Sequence, residues 1–89
     1  MLKPYGNRFI VQVQKEYIKE KGVQVMNDDG TPRFELDQTA KVIASNVPDV
    51  KKGMTVIVDY RGGMPIRKLE NSKSVTVIFE ADELNAIEI

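Results

Sequence analysis

Apolar and polar positions alternate with a period of two along much of the chain. Phe9, Val11 and Val13 are spaced two apart in the run Arg8 to Gln14. That spacing predicts a strand with one buried face. Further strands are predicted over 40–44, over the β-branched run 55–60, over 65–69 (the weakest), over 74–79 and over 85–89. Turn signals separate them at Val47-Pro48-Asp49, Lys52-Gly53, Arg61-Gly62-Gly63 and Glu70-Asn71-Ser72. Many short strands joined by turns predict an all-β fold, a small barrel or sandwich with Phe9 and Phe79 in its core.

No long helix is expected. Gln14 to Lys21 has helix-forming composition, but Lys15 and Lys19, like Glu16 and Glu20, place equal charges four residues apart. One helical turn is expected at residues 80–84, with Asp82 as its N-cap.

Residues 14–39 break the pattern. Most connections in small domains run to about 4–6 residues, and a longer one is usually functional or disordered. This segment is polar except for a knot at Gly22-Val23-Gln24-Val25-Met26, followed by the turn-rich Asn27-Asp28-Asp29-Gly30-Thr31-Pro32. Two readings are open: a hairpin pairing 23–26 with 33–36, or an extended mobile loop. The knot likewise either docks on the protein's own core or offers anchors to a partner.

Composition narrows the chemistry. The chain has 89 residues, 13 basic and 13 acidic, with no Cys, His or Trp. The absence of Cys and His excludes disulfides, thiolate zinc sites and Ser-His-Asp catalysis. Zero net charge gives no field for nucleic acid, and the acidic stretch 80–89 reads as a solvated edge. Asn27-Asp28-Asp29-Gly30 is not a calcium loop, because Leu36 stands where an EF-hand needs Glu. Arg61-Gly62-Gly63 lacks the rest of a phosphate loop. Asp82 and Glu83 are adjacent and point apart, so no paired-carboxylate site is expected. An enzyme is therefore not expected, and neither is a cofactor or a metal. No signal peptide or membrane span is expected either, which makes a soluble cytoplasmic protein the expectation. A core this small is thin, and self-association is a common remedy.

In collinear order, four stretches resemble the GroES-type co-chaperonins, the ten-kilodalton lids of double-ring chaperonins. These are 3–11, the knot 22–26, 49–58 with its Lys51-Lys52-Gly53, and 80–88 with its Glu-x-Asp-x-Leu-x-Ala pattern. The resemblance covers nearly the whole chain as one domain, residues 1–89, with a mobile loop at about 14–39. It implies an irregular GroES-like β-barrel protomer in a sevenfold ring, with no enzymatic activity and no cofactor. First and last strands would join the subunits, placing Lys3, Pro4, Phe9, Val11, Leu84, Ala86, Ile87 and Ile89 at the interface. Gly22, Val23, Gln24, Val25 and Met26 would bind a GroEL-type chaperonin in its ATP state, closing a folding chamber.

The sequence departs from that family at three places. Gln24 stands at the centre of the apolar tripeptide, so either it points outward while Val23 and Val25 dock, or the anchor shifts to Val25-Met26. Ser45 to Pro48 is too short for a roof hairpin, which implies an open or thin top. Asn7 and Met54-Thr55 replace an Asp and an Asp-x pair. The missing roof and divergent loop resemble phage-encoded members, which would act in a host cytoplasm. Rival readings are a nucleic-acid-binding barrel, a virion structural subunit and an enzyme domain. The first would need exposed aromatic and basic residues on one face.

Overall fold

The computed structural model describes residues 3–36, 39–58 and 62–88. The fold is all-β and antiparallel. Nine strands follow in chain order: β1 Arg8–Tyr17, β2 Lys19–Glu20, β3 Val23–Gln24, β4 Phe34–Leu36, β5 Thr39–Ser45, β6 Thr55–Val58, β7 Met64–Pro65, β8 Ser74–Glu80 and β9 Leu84–Glu88. The main sheet runs β7-β8-β1-β5-β6-β9, with β4 also on β1, and β2-β3 form a separate two-stranded ribbon. Among the described residues no ladder joins β7 to β9, so the pairings trace a sheet with two ends.

The period-two pattern sets the register of the two central strands. Phe9 lies opposite Phe79, Val11 opposite Val77 and Val13 opposite Val75. All six side chains face the core, and the two Phe rings stack with centroids 5.8 Å apart. Ala40 and Val42 from β5, Val56 and Val58 from β6, and Val50 from the β5–β6 connection complete it. A one-residue slip of either central strand would turn every one of these side chains to the opposite face, which is why the register holds.

Two bulges bend the sheet. Ile10 opposes Ala44 while Val11 opposes Val42, leaving Ile43 as the extra residue. Ile57 opposes Ala86 while Val58 opposes Leu84, leaving Asn85 extra. Bulges raise local twist and re-aim side chains. The second lets Leu84 and Ile87 both pack on the core despite their odd spacing.

The strand expected over 65–69 survives only as Met64–Pro65, paired with Ile78 and Val77. Alternation fails at the consecutive cations Arg67 and Lys68, and the chain tightens into a 3-10 turn over Arg67–Leu69. Pro65 suits this outer strand, which needs few ladder donors. The turn expected near residue 82 is a 3-10 turn over Ala81–Glu83, but its N-cap is Glu80 and not Asp82. Glu80 and Glu83 form a reciprocal capping box across it. Of the run expected over 55–60, Thr55–Val58 is strand, and Asp59 and Tyr60 lie outside the described residues. Ser45 to Pro48 carries no hairpin. The chain turns there, with the Asn46 side-chain amide donating to the Gly6 carbonyl at 2.7 Å.

Candidate functional site

The long polar segment divides into a base and an arm. At the base, β1 runs on to Tyr17 and pairs with β4, Lys15 opposite Leu36 and Tyr17 opposite Phe34. The arm, residues 18–33, folds on itself. Lys19 pairs with Gln24 and Glu20 with Val23 across a two-residue loop, Lys21-Gly22. Both loop residues have positive φ, 52° and 79°. That is the conformation of the tight hairpin turn whose twist matches its strands, and it explains the glycine. The Val25 amide then donates to the Ile18 carbonyl at 2.9 Å, and the Arg33 amide donates to the Val25 carbonyl at 2.8 Å. Met26 bridges Pro32.

Both readings left open for this segment are modified. Residues 25–26 do oppose 32–33, as the hairpin reading expected, but Val23–Gln24 pair backwards with β2, and Phe34–Leu36 pair with β1. In place of an extended loop, the chain makes a compact double turn.

The arm's end is closed by a local network. The Asn27 amide donates to the Thr31 carbonyl at 2.7 Å, and the Gly30 amide to the Asn27 carbonyl at 3.0 Å. Asp29 Oδ1 accepts from the Thr31 hydroxyl at 2.6 Å and from its amide at 3.0 Å. The hydroxyl bond, then the amide bond, hold the Asp29 carboxyl below the usual carboxylate range. This is the turn expected from Asn-Asp-Asp-Gly.

The five anchor candidates take different places. Gly22 shapes the hairpin turn. Val23 is 70% exposed and Met26 51% exposed, Gln24 is exposed, and Val25 is half-buried between Ile18 and Arg33. Strand alternation puts Gln24 on the face opposite Val23. The solvent-facing apolar pair is therefore Val23 and Met26, a combination that neither a Val23–Val25 nor a Val25–Met26 anchor anticipates. None of residues 19–33 is among the described core residues or those packed against them, and the molecule is elongated, 44 × 28 × 20 Å, with a radius of gyration of 14.2 Å that exceeds the ~12 Å expected for a compact domain of this length.

The interface candidates also separate. Phe9 and Val11 are fully buried in the chain's own core, and β1 is flanked there by β5 and β8. They present no surface to a neighbouring subunit, so any such contact falls to other members of the set. Pro4 is buried, Leu84 and Ile87 are half-buried against the core, and Lys3 and Ala86 are exposed. Ile89 lies outside the described residues. The outer edge of β9 ends the ladder.

A surface groove of about 520 Å³ lies between Tyr5 to Arg8 and Glu80 to Asp82. Arg8 and Glu80 pair across it at 3.4 Å, both half-exposed. Adjacency in sequence gave no reason to group Asp82 and Glu83, yet the 3-10 turn brings carboxylate oxygens of Glu80, Asp82 and Glu83 within 4.8 Å of one another. Glu80 and Glu83 are engaged in the capping box, and Glu80 also meets Arg8.

Gly63 has a structural task that the turn signal did not disclose. A Cβ there would lie 2.5 Å from Val77 Cγ1 and 2.6 Å from Phe79 Cε1. Val50, read in sequence as part of a family-like stretch, is a core residue. No protein-family model matches the chain, and no curated protein matches it. No helix among the described residues is long and apolar enough to cross a membrane.

Proposed function

We propose that this protein is a co-chaperonin, a ring-forming lid that docks on an ATP-bound double-ring chaperonin through the 18–33 arm and assists protein folding in the closed chamber. The observation that carries the reading is the arm itself. It closes its own backbone hydrogen bonds, stays out of the core, and leaves Val23 and Met26 open to solvent at the place where the resemblance puts the anchor. Fully burying such a side chain is worth about 1.5–3 kcal/mol. Two per protomer make a weak contact, and a ring of arms multiplies it by effective concentration. Gln24 lies on the face opposite Val23, so the contact made by Val23 need not desolvate it.

A nucleic-acid-binding barrel has less support. Phe9 and Phe79 are in the core, and Tyr17 packs edge-on against Phe34. Among the described aromatics, Tyr5 alone is widely exposed.

Native mass spectrometry, with and without a GroEL-type chaperonin and ATP, tests the proposal. A ring of about seven chains should form alone and be captured only with nucleotide. Val23→Asp and Met26→Asp should each abolish capture and leave the ring intact. A monomer at all micromolar concentrations, or capture unaffected by both substitutions, would sink the reading.

A further inference from the structure

The arm leaves the sheet at Ile18 and returns at Arg33. Among the described residues, every hydrogen bond of 18–33 closes within the arm. Its direction must therefore be set at the base, where the side chains do something the strand pattern does not require. Lys15 has only 6% of its side chain exposed, an unusual depth for a lysine. Its amine lies 3.0 Å from Glu70 Oε2 and 4.5 Å above the centre of the Phe34 ring. The Phe34 ring meets Tyr17 edge-on at 5.9 Å, and the Tyr17 hydroxyl donates to the Ser72 carbonyl. Both long-range partners come from one connection, residues 66–73, which is itself stiffened. Asn71 Oδ1 accepts the amides of Lys73 at 2.8 Å and Ser74 at 2.9 Å, and the Leu69 amide donates to the Ile66 carbonyl.

We propose that Lys15, Tyr17 and Phe34, held by Glu70 and the Ser72 carbonyl, form a latch that fixes the direction of the arm against the sheet. The ladder between β1 and β4 at the base is only three residue pairs long, and so short a ladder resists bending weakly. The latch adds restraints on side chains from both strands, fastened to a rigid turn far away in sequence. The lysine end of this pair is shielded and seated on an aromatic face while Glu70 is 43% exposed, and a partly buried pair is screened less than a fully exposed one. Opening it frees the arm to swing without loss of the core, since none of these residues is among the fully buried core side chains. The proposal concerns the arm's mobility and stands whatever partner the arm meets.

The chain has no cysteine, so two can be introduced for spin labels, Asp28→Cys at the arm's end and Lys52→Cys in the β5–β6 turn. Labelled chains are diluted into unlabelled chains so that any oligomer carries one pair, and the distance distribution is read by pulsed electron resonance. The parent should give a narrow distribution. Lys15→Met, which keeps the apolar stem, should broaden it about twofold, as expected of an element released to the low-stability end of the structure. Tyr17→Phe and Glu70→Gln should broaden it less, and the Lys15→Met/Tyr17→Phe pair most. Hydrogen exchange at Phe9 to Val13 should stay unchanged in all of them. Equal widths throughout would overturn the latch. Broadening accompanied by faster exchange in β1 would also overturn it, by making the cluster a prop of the sheet. Should Lys15→Met fail to fold, Tyr17→Phe and Glu70→Gln decide the matter by the same two readouts.

Discussion

Gly63 lies against Phe79 so closely that a Cβ on the glycine would come within 2.6 Å of the ring's Cε1. Phe79 is also the ring that stacks on Phe9, so the pressure would reach the centre of the core. Gly63→Ala should destabilise the protein by about 1–3 kcal/mol, the usual cost of overpacking. Chemical denaturation measures it. Gly63→Ala combined with Phe79→Leu should recover part of the loss, and a fully additive pair would contradict the contact.

The Asp29 carboxyl is held below its ordinary range by the Thr31 hydroxyl and amide. A depressed folded-state value means that the carboxylate's contribution to the turn is fully present above the unfolded value. It is lost as pH falls through the folded value. An NMR titration of the Thr31 amide should therefore show a midpoint below that of a free aspartate. Asp29→Asn should remove the response and leave the core signals in place. A midpoint at or above the ordinary aspartate value would refute the assignment.

Two acidic contacts beside each other should differ in weight. The Arg8–Glu80 pair is half-exposed, and Arg8→Ala should change stability by about 0–1 kcal/mol. Glu83 Oε1 accepts the Glu80 backbone amide at 2.9 Å in the capping box. Glu83→Ala should cost more, about 0.5–2 kcal/mol, because a turn terminus loses its acceptor. Thermal melts of both variants rank them, and a larger loss from Arg8→Ala would reverse the argument.

Strand alternation was legible where one face is buried. Phe9, Val11 and Val13 could be named as a core face from spacing, and the register sets them opposite Phe79, Val77 and Val75; that Ile10, Ser74 and Thr76 on the other face are buried as well was not legible. Legibility failed where a local pattern is overruled by distant partners. Lys15 and Tyr17 belong to a strand despite their helix-forming neighbourhood, because β4 and the 66–73 connection supply contacts no window of sequence contains. Arg67–Leu69 left the strand pattern for a 3-10 turn, and the cap at Ala81–Glu83 fell to Glu80 because Glu83 could reach back to it. Of the anchor knot, the apolar residues were visible in sequence, but exposure was not. Val23 and Met26 are exposed while Val25 is half-buried, in a stretch hydrogen-bonded to Ile18 on one side and Arg33 on the other.

Composition by itself fixed the groups on hand: the chain carries no Cys or His, hence no thiolate or imidazole, and its formal charges balance at zero. Periodicity by itself pointed to an all-β fold and to one core-facing row, Phe9, Val11 and Val13, because burying one face of a pleated strand needs only nearest-neighbour alternation. Which edges stay open, where the bulges fall, how the arm is folded and what holds it were decided only in three dimensions. Those features depend on pairings between residues as far apart as Lys15 and Glu70, whose geometry exists only once the intervening chain has closed upon itself.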